Sequence, residues 1–156
     1  MTTVDEIPVA YTPTGGWHDD MPAPILAGCT TPLVDGAPDL RGLWEVVQVS
    51  VNGVDDPAHR SLGRRQRIEQ AGDRLIVTSS GVIHDMRCDG TVEHGVHDVM
   101  QSDFTTPIVV VATYEDGVHV LRPEGVPDGI TVTRQLDGDQ LVWGYAGMFV
   151  ARCTRV

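Results

Sequence analysis

From position 43 onward, apolar side chains return at every second residue in short runs, and turn chemistry cuts each run from the next. The runs lie at 43–51, 66–70, 74–78, 82–87, 92–99, 108–114, 118–121, 130–136, 140–145 and 148–154. A period of two marks strands with one buried face. Between the runs stand "AGD", "SSG", "CDG", "EDG", "LDGD" and "YAG", where Gly and Asp supply the positive φ that hairpin turns require. Strands joined by turns this tight are antiparallel neighbours. No segment after Asp39 has a sustained helical period, although 56–63 has room for one short helical turn. The pattern predicts an all-β, up-and-down antiparallel meander of about ten strands.

Residues 1–39 follow neither period. Pro13, Pro22, Pro24, Pro32 and Pro38 interrupt this segment, as does the Gly15-Gly16 pair. It nevertheless carries Tyr11, Trp17, Ile25, Leu26, Leu33 and Val34, more apolar side chains than a solvated tail keeps. The expectation is an extended Pro-rich N-terminal arm over 1–39, packed on a β domain over 40–156 and helping to close one end of it. A ten-stranded meander exposes two edges unless it closes on itself, and closure at that strand number leaves an interior wide enough for a ligand.

The first strand opens with "RGLWEVV", placing Gly42-x-Trp44 at the mouth of the longest apolar run. In placement and pattern this resembles the first strand of the calycin superfamily, the lipocalins and fatty-acid-binding proteins, over roughly residues 40–156. The strand count is closer to the ten-stranded fatty-acid-binding type. The resemblance implies a closed barrel with Trp44 packed at its closed end and an Arg of the last strand across the indole. "FVARCTRV" offers Arg152 and Arg155 for that role. Gly42, Trp44 and one of these arginines are the positions carried over. Two features depart from the family: the final strand reads Arg152-Cys153-Thr154 where an Arg-x-Tyr pair usually grips a fatty-acid carboxylate, and the lid of two helices is missing.

Charge narrows the partners. The formal net charge is −11 and all eleven basic residues are Arg. That balance argues against nucleic acid and against anionic membranes, both of which need clustered cations. With no Lys, Schiff-base chemistry through a lysine amine is excluded. Cys29, Cys88 and Cys153 are odd in number and lack a C-x-x-C spacing, which suits a reducing cytoplasm. "ILAGC" at 25–29 looks like a lipoprotein cleavage box, but the acidic, proline-broken stretch before it has neither the cationic nor the apolar region of such a signal. No stretch has the length needed to span a bilayer as a helix.

The candidate chemistry sits on strand faces. "GVIHDMRCDG" puts His84, Met86 and Cys88 on one face and Asp85 and Arg87 on the other, so His84 is expected to point inward. Asp98, on the next run, would be its partner if "CDG" sets a hairpin register, and the pair would be an oriented general base. Arg134 is a candidate counter-ion for a ligand carboxylate or enolate. Trp143 and Tyr145 share a face and could wall a pocket. Strand alternation sends His94 and His97 to opposite faces, against a metal site with His84. The chain has no nucleotide loop and no metal motif, so no cofactor is expected, with haem ligated by His119 as the alternative. Two functions fit: a cytoplasmic barrel that binds a small lipophilic molecule, or a cofactor-independent isomerase or cyclase in which His84 and Asp98 move a proton.

Overall fold

The computed structural model describes residues 2–17, 21–126 and 130–156; arm positions 18–20 lie outside them. The strands are β1 Gly42–Val51, β2 Val54–Asp55, β3 Arg65–Ala71, β4 Arg74–Ser79, β5 Val82–Arg87, β6 Val96–Val99, β7 Pro107–Glu115, β8 Val118–Pro123, β9 Val132–Asp137, β10 Gln140–Tyr145 and β11 Phe149–Arg155. Ten of them form one antiparallel ladder in the order β5-β4-β3-β1-β11-β10-β9-β8-β7-β6, and the two-residue β2 folds back on β1. The first long strand pairs the last, so the meander curls into a nearly closed barrel whose only unladdered seam among the described residues lies between β5 and β6.

Alternation explains which side chains enter. Trp44 and Val46 on β1, Ile68 on β3, Leu75 and Val77 on β4, Met86 on β5, Val110 and Ala112 on β7, Leu141 on β10, and Ala151 and Cys153 on β11 form one buried interior cluster. A bulge between Val46 and Gln48 turns Val47 outward and keeps both Val46 and Val49 inside. The segment between β1 and β3 holds successive turns rather than a helix, with His59 N–H bonded to the Asp56 carbonyl and Leu62 N–H to that of His59. Leu62 in this segment packs on the core.

Two expectations for the sixth strand change. Residues 92–95 form a turn, and β6 starts only at Val96. At the boundary Gly95 passes so close to β7 that a Cβ there would stand 2.0 Å from the Val110 carbonyl oxygen. The expected β5–β6 hairpin does not form either. The crossing is made by Arg87 N–H donating to the His94 carbonyl at 2.7 Å and by a side-chain contact from His84.

The N-terminal segment runs outside β3, β4 and β5. Val4 and Leu26 join Ala71, Ile76 and Ile83 in a second apolar cluster on that outer face. Arg74 holds the segment by its backbone: Nη1 donates to the carbonyls of Val4 and Ile7, and Nη2 to that of Pro8. Asp85 binds Arg74 Nη2 at 2.6 Å and accepts the Ala10 N–H at 2.9 Å. Thr12 spans the seam, exchanging hydrogen bonds with the Ile83 backbone on β5 while its N–H donates to Asp98 Oδ2 on β6. These contacts lie along the flank. At the end of the segment Leu40 enters the barrel interior, fully buried in one cluster with Trp44.

Candidate functional site

The closed end is built around the Gly-x-Trp motif. Trp44 is fully buried, its Nε1–H donates to the Leu40 carbonyl at 2.9 Å, and the Arg155 guanidinium lies 4.2 Å over its ring. Gly42 makes room for that arginine: at φ +145 a Cβ would stand 3.1 Å from Arg155 Nε. Trp44 and Arg155 are direct cross-strand partners, whereas Arg152 faces out and pairs with Asp137 at 2.9 Å. Of the two arginines expected across the indole, Arg155 takes the role and Arg152 does not, because Ala151 and Cys153 fix the inward parity of β11.

Gln70 ties this end together, accepting the Leu40 N–H at 2.6 Å and donating to the Pro38 carbonyl and Tyr114 hydroxyl. Cys88 sits beside Tyr114, and burial pushes its thiol up to about 12, which leaves it unreactive. Met86 packs in the same apolar interior.

Toward the opposite end the lining turns aromatic and only partly buried. Phe149 is the hub: Trp143 meets it edge-on at 5.1 Å, Tyr145 lies at 5.7 Å and His59 at 5.0 Å. One inward position deeper, His119, Arg134 and Trp143 stand in register on β8, β9 and β10. Arg134 is 6% exposed and reaches across the lumen to Gln66 Oε1 on β3 at 2.8 Å. Its guanidinium carbon lies 5.6 Å from the Trp143 ring. Among the described residues no carboxylate pairs with it, and Arg134 Nη1 and Trp143 Nε1 hold no hydrogen bond. Desolvation lowers the Arg134 pKa to about 10, so it remains a cation at neutral pH.

His119 is fully buried against Tyr114, and neither ring nitrogen has a partner among the described residues. Burial, with Arg134 beside it, pushes its pKa from 6.5 down to about 3. The unfolded chain takes up this proton near pH 6.5 and the folded chain refuses it until about pH 3, so the stability is complete above 6.5 and is lost as pH falls. The expected slope is roughly 1.4 kcal/mol per pH unit. Urea unfolding at pH 7 and pH 5 checks this: His119→Leu should lose much less stability than the parent chain across that interval, and equal losses would refute the assignment.

His84 shares the inner face of β5 with Met86, and burial lowers its pKa. Its Nε2 lies 3.0 Å from the Val99 carbonyl, so Nε2–H donates there and Nδ1 is left as the basic nitrogen. Asp98 is close enough for its charge to act on His84, but no hydrogen bond joins them: Oδ1 accepts the Val99 N–H at 2.7 Å and Oδ2 the Thr12 N–H. The dyad was expected from a hairpin register, and without the ladder that register is absent. His94 instead pairs with Asp89 at 2.6 Å and His97 with the Val92 carbonyl at 2.7 Å, both apart from His84.

Gln66, His59 and Phe149 were not singled out from the sequence. Phe149 was legible in the alternation Phe149, Ala151, Cys153; Gln66 and His59 give no local signal. One cleft of about 670 Å³ lies outside the lumen under the N-terminal segment, and one of about 350 Å³ lies beside the β10–β11 turn, where Tyr145 and Phe149 also border it.

No protein-family model and no curated protein sequence matches the chain. Among solved structures it is similar to human cRBP IV, a cellular retinol-binding protein, with a TM-score of 0.53 and 18% identity over 76% of this chain and 98% of that one. With the strand order, this likeness shows that the chain shares the fold of that protein, a nearly closed antiparallel β-barrel of the kind the Gly42-x-Trp44 pattern implies.

Proposed function

We propose that this protein binds one small lipophilic molecule inside its barrel, with the ligand's anionic head at Arg134 and its body among Trp143, Tyr145 and Phe149. The observation that carries the reading is Arg134 itself. A buried guanidinium whose one hydrogen bond among the described residues goes to neutral Gln66, and which has no acid partner among them, is costly, and a ligand carboxylate would relieve that cost through charge-assisted hydrogen bonds. Trp143, Tyr145 and Phe149 are only partly buried, and Trp143 stands 5.6 Å from the Arg134 guanidinium carbon, so apolar surface for the ligand's body adjoins the site for its head. The shared fold with a retinol-binding protein supports a lipophilic ligand. A reducing cytoplasm suits Cys29, Cys88 and Cys153, which are all free thiols.

Titration with decanoate and with decanol, the same chain without the charge, tests the reading. The parent protein should prefer the acid, and Arg134→Gln should lose about 1.5–3 kcal/mol of acid affinity while changing alcohol affinity little. Equal acid affinity in both proteins would refute the role of Arg134. An isomerase or cyclase reading draws on one observation, that burial favours neutral His84, the form able to accept a proton. Binding is favoured because Asp98, the group that would orient that base, is committed to Thr12 and Val99.

A further inference from the structure

The cleft of about 670 Å³ under the N-terminal segment is separate from the lumen: its floor is the outer face of β1, β3 and β4, and its walls include Trp17, Met21 and Phe104. We propose that this cleft is a second binding site, for an aromatic carboxylate, with the carboxylate on Arg67 and Thr78 and the ring between Trp17 and Phe104.

The floor carries the first argument. Arg67 and Thr78 are direct cross-strand partners on β3 and β4. Among the described residues, Arg67 Nε, Arg67 Nη2 and Thr78 Oγ1 are closed off from bulk water and hold no hydrogen bond. Among the described residues Arg67 is ion-paired with Glu69, but at 3.7 Å from Nε to Oε2 the pair is too long for a hydrogen bond, and Glu69 Oε1 is held by the Leu26 N–H at 2.8 Å. Arg65 at the rim already donates to Glu45 at 3.0 Å, so among the described lining residues the guanidinium N–H groups without a hydrogen bond are those of Arg67. Two guanidinium N–H groups side by side match the two oxygens of a carboxylate, and the threonine hydroxyl adds a third donor.

The walls carry the second. Phe104 sits at φ +58, a left-handed conformation that an aromatic residue rarely adopts. Its ring is wedged against two glycines: a Cβ on Gly16 or on Gly81 would stand 2.8 Å from it. The Trp17 N–H donates to the Gly81 carbonyl at 2.8 Å, fixing the second aromatic across the same opening. The strained backbone and the two glycines fix Phe104 in the wall of the cleft that Trp17 also lines, and these two rings are the aromatic surface offered to the ligand's ring.

Calorimetric titration of the full chain with 2-naphthoate and with uncharged 2-naphthamide tests the proposal, with amide chemical shifts to locate the ligand. Naphthoate should bind more tightly than the amide and shift the amides of Trp17, Gly81 and Phe104. Arg67→Gln should weaken naphthoate about tenfold or more, Thr78→Val should weaken it severalfold, and Arg134→Gln should leave it unchanged. Absence of binding at millimolar naphthoate would overturn the proposal, as would equal affinity for the amide, unchanged affinity in both Arg67→Gln and Thr78→Val, or a loss confined to Arg134→Gln. Should Arg67→Gln fail to fold, Thr78→Val and the location of the shifts decide the matter.

Discussion

Trp44→Ala is expected to lower stability by about 3–5 kcal/mol, the range for deleting a large core aromatic. The indole is fully buried, so truncation opens a cavity where the first and last long strands meet. It also leaves the Leu40 carbonyl without its donor and Arg155 without the ring it covers. Denaturant unfolding of the two proteins measures the loss; a loss below about 1 kcal/mol would mean that the motif does not organise the closed end.

A loss of similar size is expected from Arg74→Ala. Arg74 and Asp85 are 2% and 5% exposed, and removing one member of a buried pair strands the other, at about 3–5 kcal/mol. Three backbone carbonyls, of Val4, Ile7 and Pro8, lose their donor as well. We expect the first seventeen residues to become much more sensitive to limited proteolysis, since the fork pins them to the barrel wall. Asp85→Ala should act alike, and the double variant should cost well under the sum, because both changes break one network. Additive losses with unchanged proteolysis would show that the pair does not anchor the segment.

These two sites also mark what the sequence discloses. Strand positions were legible because a half-buried strand must alternate and a tight turn must use Gly, Asn or Asp; the ladder from β7 to β11 follows the predicted runs closely. Trp44 was legible from a short motif and its resemblance, and its arginine only to the choice between Arg152 and Arg155, which the parity of β11 decides. Arg74 and Asp85 were not: they occupy outward positions, where charge ordinarily means solvent, and the segment that buries them has no period to reveal its path. The partner of His84 was illegible for a different reason. Register passes along a hairpin, but β5 and β6 meet across an open seam, so counting residues could not place Asp98. The isolation of Arg134 likewise needed three dimensions, because it depends on which residues of distant strands fail to reach it.

The central claim, that the lumen holds a lipophilic acid at Arg134, is tested most directly by native mass spectrometry after exposing the refolded chain to a mixed lipid extract. One small organic acid retained per parent chain, and little or none retained by Arg134→Gln, is the predicted result. Bare chain alone in both proteins, or the same load in both, would contradict it.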